Sequence, residues 1–250
     1  MTKIILSGSS GQMGCTLTQV ISERNDCTIV AGISKNFSST SNFPTFNSPN
    51  EINVDADVII DFSNPALLDS LLNFAIHKKM PIVICTTGFT DEQITKIKDA
   101  SKLIPIFFSG NTSIGINLLI ELAKKAALVL GSNFDIEIIE KHHNRKIDAP
   151  SGTALMIANA INSVNNQNLS YVYERHSKRE PRSNNEIGIH SIRGGTIVGE
   201  HDVVFAGKDE VLTLSHTSQS KGIFADGAIN AAIFILSKPA GLYTMSDLLK

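Results

Sequence analysis

The sequence contains no tryptophan, and aromatic residues make up only 6% of its 250 residues. Proteins that bind single-stranded nucleic acid stack bases on aromatic side chains, and this composition offers little for such a platform. The formal net charge is −2, so no global basic field attracts nucleic acid. Together, these shortages predict that nucleic acid is not a partner.

Cysteine and long apolar runs are also scarce. The three cysteines, Cys15, Cys27 and Cys85, include no CxxC pair, which argues against a disulfide framework or a zinc knuckle and favours a reducing compartment. No uninterrupted apolar run approaches the roughly 20 residues that span a bilayer. The N-terminal stretch MTKIILSGSSG turns glycine-rich too early for a signal peptide. We therefore expect a cytoplasmic protein with no membrane partner.

The first part of the chain alternates strand-like and helical segments. They follow one another at residues 3–8, 13–24, 27–33, 57–63, 65–78, 81–88, 91–101 and 104–111, with a polar loop predicted at 36–50. The strand-like runs are apolar on both faces, which is typical of a buried parallel sheet. The alternation predicts an α/β fold with a Rossmann-type doubly wound sheet.

From about residue 113 the pattern changes. We predict a long helix to Leu130, a half-exposed strand at 134–143, a helix at 151–164 and an exposed excursion at 165–187. Alternation and glycine-rich turns then favour antiparallel strands up to residue 218, and an apolar helix begins near Gly222. This part predicts a second α+β domain with an open antiparallel or mixed sheet, whose uncovered face suits association with another copy.

The segment GSSGQMG follows the first strand and precedes the first helix. Its glycines, Gly8, Gly11 and Gly14, form a GxxGxxG variant of the dinucleotide-binding turn. Glycine permits the tight turn and lets a pyrophosphate approach the free N–H groups of the helix N-terminus. Glycine turns also occur for packing alone, but the position at the start of an alternating chain favours cofactor binding.

The end of the second strand distinguishes NAD from NADP, because an acid there accepts the ribose hydroxyls. Ser34 and Lys35 occupy this corner, and no carboxylate does. A serine and a lysine suit a 2′-phosphate, so we predict that NADPH is accepted at least as well as NADH. Thr86, Thr87 and Gly88 end the fourth strand and are expected to line the nicotinamide side.

The segment EKHHNRKIDAPSGTA, residues 140–154, leaves a strand and enters a helix. Ser151 is a candidate N-cap, and the N–H groups after it would face a carboxylate. Lys146 adds positive charge, and His142 and His143 could share a pocket where the strand bends. Each of these residues alone is more typical of a structural role. Adjacent histidines could bind metal, but no HExxH motif or cysteine partner accompanies them.

These residues resemble the 4-hydroxy-tetrahydrodipicolinate reductase (dihydrodipicolinate reductase) family of lysine and diaminopimelate synthesis. The segment EKHHNRKIDAPSGTA is similar to the family's E-x-H-H-x-x-K-x-D-A-P-S-G-T-A signature. Further blocks resemble the family in the same order along essentially the whole chain: GSSGQMG, DFSNP, CTTGF, GNTSIGIN and IRGGTIVGEH.

The resemblance implies a role for each matched residue. His142 would donate a proton with Lys146 as its catalytic partner, and the substrate would contact His143, Ser151, Gly152 and Thr153. NADPH or NADH would contact Gly8, Ser9, Ser10, Gly11, Gln12, Met13, Ser34, Lys35, Cys85, Thr86, Thr87, Gly110, Asn111, Thr112 and Ser113. The resemblance implies no metal.

The family also implies a homotetramer and a discontinuous nucleotide domain, residues 1–112 and 221–250, around a substrate-binding and oligomerisation domain at 113–220. Lys221 would lie near the return of the chain. Gln12, Ser34 and Thr112 depart from residues common in the family, and all three concern the cofactor side.

Two alternatives stay open at this point. A dehydrogenase of the aspartate-semialdehyde type would need a nucleophilic cysteine, and none of the three is placed for it. A nucleotide-sensing regulator would have no need of the intact histidine and lysine run.

Overall fold

The computed structural model describes residues 1–34, 42–165 and 168–250. The chain divides into two compact units. One comprises Met1–Ile114 together with Lys221–Lys250, and the other comprises Gly115–Ser220.

The N-terminal part of the first unit alternates strands and helices as the sequence predicts. Its elements are β1 (Thr2–Ser7), α1 (Gln12–Ser22), β2 (Cys27–Ile33), β3 (Thr45–Phe46), β4 (Val58–Asp61), α2 (Leu68–Lys78), β5 (Ile82–Ile84), α3 (Asp91–Ala100) and β6 (Pro105–Phe108). Local chemistry fixes several boundaries. Helix α3, for example, begins at a capping box in which Thr90 and Gln93 bond each other's backbone N–H groups.

The boundary between the units follows the first residue of a helix, and the second unit consists of the rest of that helix and a sheet with its connections. Its elements are α4 (Ile114–Leu130), β7 (Asp135–His142), α5 (Gly152–Val164), β8 (Ser170–Val172), β9 (Glu186–Arg193), β10 (Gly199–Ala206) and β11 (Val211–Ser218). The chain then returns to the first unit through α6 (Gly222–Ile235), β12 (Gly241–Tyr243) and α7 (Met245–Leu248).

The sheet of the first unit has seven strands in the order β12-β6-β5-β4-β1-β2-β3, all parallel. The order reverses beside β1, and ligands of open α/β sheets bind outside the carboxyl ends of strands at such a reversal. One apolar cluster covers each face of the sheet, and α6 supplies much of one of them. The predicted Rossmann-type fold is confirmed.

The sheet of the second unit has five strands in the order β11-β10-β7-β9-β8 and is mixed. Strand β10 is antiparallel to β7 and β11, whereas β9 is parallel to β7 and β8. The predicted antiparallel or mixed sheet is confirmed as mixed. The expectation of antiparallel pairing is wrong for β9, because the connections through α5 and β8 return the chain in the direction of β7.

Two predicted irregular segments contain short strands. Strand β3 lies in the predicted loop and pairs with Gly32 and Ile33. Strand β8 lies in the predicted excursion, where Val172 is buried. No helix among the described residues is long and apolar enough to cross a membrane.

Candidate active site

The glycine turn after β1 has the geometry that a pyrophosphate requires. Gly8 has φ +82°, and a Cβ there would lie 2.5 Å from the Phe62 carbonyl oxygen. A Cβ on Gly14 would lie 2.3 Å from the Gly8 carbonyl oxygen, so only glycine lets α1 approach the turn. Gly11 is the N-cap of α1, and no described side chain caps this helix. Its first N–H groups are therefore suited to an anion.

The neighbouring cofactor candidates lie at the same turn. The hydroxyl of Ser10 bonds the hydroxyl of Ser34, which follows β2 and is nearly buried. Ser9 Oγ donates to the Ile33 carbonyl at 3.5 Å. Met13 packs its side chain against the core, so its backbone is the part that faces the turn. Lys35 lies outside the described residues.

A cation that the sequence analysis did not assign to the site reaches this turn. Lys221 Nζ donates to Gln12 Oε1 at 2.7 Å, and both side chains are exposed. Lys221 is the last residue before α6, so the returning chain brings a positive charge to the N-terminus of α1. An anionic ligand at the turn would meet this charge as well as the helix N–H groups.

A buried carboxylate links the ends of β4 and β5. Asp61 is 2% exposed, and it accepts hydrogen bonds from the Ser63 hydroxyl at 2.5 Å and from Thr86 Oγ1 at 2.7 Å. Burial raises the pKa of Asp61 against the effect of these hydrogen bonds. The Thr86 hydroxyl is thus used to hold two strand ends together, which leaves the backbone of this loop to contact a cofactor.

The remaining cofactor candidates lie after β6. Asn111 Oδ1 accepts from the Ser113 N–H at 2.9 Å, and Thr112 Oγ1 donates to the Phe224 carbonyl at 2.7 Å. A Cβ on Gly110 would lie 3.5 Å from the Thr87 methyl group, so the loops after β5 and β6 are neighbours. The structure therefore brings the described cofactor candidates to one edge of the sheet.

Cys85 lies at this edge, but its environment does not favour a nucleophilic thiolate. It is 5% exposed, and burial raises the pKa of its thiol well above the ordinary value. A thiol must ionise to attack a carbonyl group. This removes the cysteine that a semialdehyde dehydrogenase would need at the cofactor edge.

In the second unit, His142 ends β7, and its ring is held on two sides. Its Nδ1 lies 2.5 Å from Glu140 Oε2. Its ring centroid lies 5.3 Å from that of His201 in an edge-to-face arrangement. Burial is the largest influence on the pKa of His142 and lowers it, while Glu140 acts in the opposite direction. A lowered pKa makes the protonated imidazole a stronger acid.

Glu140 is the centre of a hydrogen-bond network. Its side chain is fully buried, and it accepts bonds from both terminal nitrogens of Arg193 at 2.7 and 2.8 Å and from the Ser151 N–H at 3.1 Å. Burial alone raises the pKa of Glu140, but bonds from Arg193, Ser191 and His142 outweigh it and lower the pKa to about 2. The group is therefore a carboxylate throughout the physiological range.

Helix α5 begins in front of this network. Ser151 is its N-cap, as predicted, and the hydroxyl accepts from the Ala154 N–H at 3.1 Å. Because Ser151 is buried, its hydroxyl shapes the helix start and does not face solvent. A Cβ on Gly152 would meet no atom within 4 Å, so the space beside the first turn is open. Thr153 follows in the same turn.

The other two candidates lie in the turn after β7. Lys146 Nζ donates to Asp148 Oδ1 at 2.8 Å, and the backbone N–H of Lys146 donates to the His143 carbonyl. His143 Nδ1 is buried without a hydrogen-bond partner among the described residues. No described group of three or more His, Cys, Asp or Glu side chains could hold a metal ion.

His201 is a buried histidine that the sequence analysis missed. It is 3% exposed, and its Nε2 lies 3.0 Å from the Ser151 hydroxyl. Burial, followed by the charge on His142, lowers its pKa to about 4, with His216 and Lys146 acting in the same direction and Glu140 opposing them. His201 is therefore neutral at physiological pH and holds the N-cap of α5 by hydrogen bonding.

This histidine predicts an acid-sensitive stability. The unfolded chain takes up the proton near pH 6.5 and the folded chain only near pH 4, so the free energy of unfolding falls as pH decreases through this window. We expect His201 to remove about 2 kcal/mol between pH 7 and pH 5. Urea denaturation of wild type and His201→Asn at both pH values measures this. The variant should lose less stability than wild type, and parallel losses would contradict the prediction.

The fold and the site together define a class of two-domain reductases, with a dinucleotide-type turn in one unit and a histidine and lysine beside a helix N-terminus in the other. The family models described as "Dihydrodipicolinate reductase, N-terminus" and "Dihydrodipicolinate reductase, C-terminus" match residues 2–112 and 115–249. The chain belongs to the dihydrodipicolinate reductase family, a family of NAD(P)H-dependent oxidoreductases.

Individual relatives agree with this membership. The chain is 51% identical to the 4-hydroxy-tetrahydrodipicolinate reductase of Caldanaerobacter subterraneus subsp. tengcongensis, over 100% of this chain and 99% of the relative. It is 48% identical to that of Clostridium novyi with the same coverage. A dipicolinate-bound dihydrodipicolinate reductase from Paenisporosarcina sp. TG-14 is 25% identical, with TM-score 0.82 over 98% of this chain and 97% of that one.

Proposed function

We propose that the protein reduces 4-hydroxy-tetrahydrodipicolinate to tetrahydrodipicolinate, with loss of water, in diaminopimelate and lysine synthesis. The observation that carries the proposal is the group of His142, Lys146 and the α5 N-terminus in a chain of this family. The substrate is a cyclic imine dicarboxylate, which calls for both an anion cradle and a proton donor.

The two units divide these tasks in the proposal. Residues 1–112 and 221–250 bind NADPH or NADH at the turn from Gly8 to Met13 and at the loops after β2, β5 and β6. The bound cofactor supplies the hydride. Residues 113–220 bind the substrate. The glycine geometry at Gly8 and Gly14 supports the assignment of the first unit, because it permits the tight turn after β1 and the close approach of the α1 N-terminus to it.

The second unit supplies charge and a proton. Gly152 and Thr153, at the α5 N-terminus that Ser151 caps, and the Lys146 ammonium bind a substrate carboxylate, assisted by His143. His142 donates a proton to the ring carbon that becomes basic after reduction. Lys146 lowers the pKa of His142 in the free protein, and the substrate's own carboxylates offset this charge when bound.

The direct test generates the unstable substrate in situ and follows the absorbance of NADPH and NADH. Oxidation of either cofactor that depends on both the protein and the substrate supports the proposal. Binding of NADPH without turnover of any dicarboxylate imine would instead indicate a nucleotide sensor.

Cofactor preference gives a second measurement. We expect kcat/KM for NADPH at least equal to that for NADH, because Ser34 stands where an NAD-specific acid would accept ribose hydroxyls. Ser34→Asp should shift the ratio toward NADH by tenfold or more, since it costs NADPH a favourable contact of about 1.5–3 kcal/mol. A strong NADH preference in the wild type would contradict this prediction.

We also propose a cytoplasmic homotetramer associated through the sheet of the second unit. The described edge strand β11 is largely exposed and carries the apolar side chains of Val211 and Leu212. Ile192 of β9 is a third exposed apolar side chain in this sheet. Three free cysteines suit a reducing compartment. Sedimentation velocity should give the mass of four chains, and a monomer at micromolar concentration would refute the association. Cell fractionation tests the location.

A further inference from the structure

Donor groups of four residues converge on the buried carboxylate of Glu140. Two groups come from Arg193, and the others are the backbone N–H of Ser151, the side chain of Ser191 and Nδ1 of His142. A carboxylate can only accept hydrogen bonds, so the proton in the bond to His142 resides on Nδ1. The Arg193 pair is bidentate, which keeps Glu140 ionised while its other bonds form.

The consequence for His142 is a fixed tautomer. With Nδ1 carrying a proton for Glu140, Nε2 is the nitrogen that takes up and gives away the second proton. Nε2 lies beside the backbone of Gly199, where a Cβ would come within 3.1 Å of that atom, so glycine avoids a tight contact at this nitrogen. Glu140 and Gly199 thus act on two sides of one ring, the first by orienting it and the second by keeping a side chain away from Nε2.

Glu140 also connects the proton donor to the anion cradle. Its Oε2 bonds the His142 ring and its Oε1 bonds the N–H of Ser151, the N-cap of α5. One rigid side chain therefore sets the spacing between the imidazole and the helix N-terminus. His201, which bonds the Ser151 hydroxyl and contacts the His142 ring, supports the same arrangement from β10.

We propose that Glu140 is a positioning residue for the reaction, which holds the Nδ1 proton of His142, leaves Nε2 to exchange the second proton, and fixes the distance of the ring from the start of α5. The catalytic part of this inference, that Glu140 supports proton donation by His142, rests on the proposed function. The competing reading is that Glu140 only neutralises a buried arginine and contributes to stability. The two readings differ in what they predict for the tautomer of His142 and for the pH dependence of turnover.

The same strand offers a matched control. Glu137 of β7 accepts from Arg182 Nε at 2.9 Å and from His190 Nε2 at 2.7 Å, so it is also a carboxylate between an arginine and a histidine. It lies three residues before Glu140 and therefore points to the opposite face of the sheet. Glu137→Gln removes an equivalent charge without touching the ring of His142.

The kinetic test compares Glu140→Gln with Glu137→Gln. We expect Glu140→Gln to lower kcat by ~10-fold or more and leave the Kd of NADPH unchanged, while Glu137→Gln keeps wild-type kcat. Glu140 raises the pKa of His142 against burial, Lys146 and Arg193. Its loss should therefore move the alkaline limb of the kcat/KM profile to lower pH. Equal kcat and an unmoved limb in a folded Glu140→Gln protein would overturn the proposal.

A spectroscopic test needs neither turnover nor a folded Glu140 variant. In the wild type at pH 8, the ¹⁵N shifts of His142, assigned by comparison with His142→Gln, should show the tautomer protonated on Nδ1. The tautomer protonated on Nε2 would overturn the proposal even if the reductase assay succeeds. Conversely, the expected tautomer together with a failed reductase assay would leave the positioning inference standing and defeat the proposed reaction.

Discussion

Replacing His142 with glutamine is expected to lower kcat by ~10²-fold or more, because general acid catalysis by a positioned imidazole contributes about 10²–10⁴-fold. Glutamine retains hydrogen-bonding atoms but has no proton to give near neutral pH. The Kd of NADPH should remain that of the wild type, since the turn from Gly8 to Met13 belongs to the other unit. Steady-state kinetics and NADPH fluorescence titration measure the two effects separately.

Lys146→Ala should produce a loss of similar size through a different route. It removes the charge proposed to hold a substrate carboxylate, and the Asp148 carboxylate that pairs with Lys146 is left behind. His190→Gln is the control, because His190 is a partly exposed histidine of the same sheet that bonds Glu137. Unchanged turnover in both His142→Gln and Lys146→Ala would refute the assignment of the proton donor and its partner.

The second large effect is expected at Gly227, in the middle of α6. An alanine Cβ there would lie 1.7 Å from the carbonyl oxygen of Thr112. Helix propensity alone favours alanine over glycine by about 1 kcal/mol. The collision is with backbone and cannot be relieved by a side-chain rotation, so overpacking should dominate and cost about 3 kcal/mol.

Urea denaturation of Gly227→Ala should therefore show a clear loss of stability despite the better helix former. Asp226→Ala is the matched control, because residue 226 is the exposed neighbour in the same helix. We also expect weaker NADPH binding, since Thr112 belongs to the loop proposed to contact the cofactor and bonds Phe224 of α6. A Gly227→Ala protein as stable as wild type would show that α6 can move away from this loop.

Much of the fold was readable from the sequence because its strands and helices carry their own hydrophobic patterns. The strands that were not predicted carry no hydrophobic pattern of their own. Strand β3 has two residues and is held by backbone bonds to β2, and β12 is held in the same way by β6. The parallel direction of β9 could have been predicted, because a helix stands between it and β7 in the sequence.

The site was predictable to the extent that its residues are close in sequence. His142, Lys146 and Ser151 lie within one motif, and Glu140 precedes His142 by two residues, which puts both on one face of a strand. Arg193 and His201 come from β9 and β10, and only the register brings them to Glu140, since His201 and Ser191 lie directly opposite it. Register depends on tertiary packing, which periodicity does not contain.

The return of the chain through α6 has a consequence for biosynthesis. Ala225, Ala228 and Ile229 of α6 belong to the same apolar cluster as Ile4 and Leu6 of β1. The elements β1 to β6 therefore leave the ribosome long before the helix that covers one of their faces, whereas the second unit emerges as one continuous stretch. A nonsense codon just before Lys221 would release a nascent product with a bare sheet face, a substrate for chaperones and proteases.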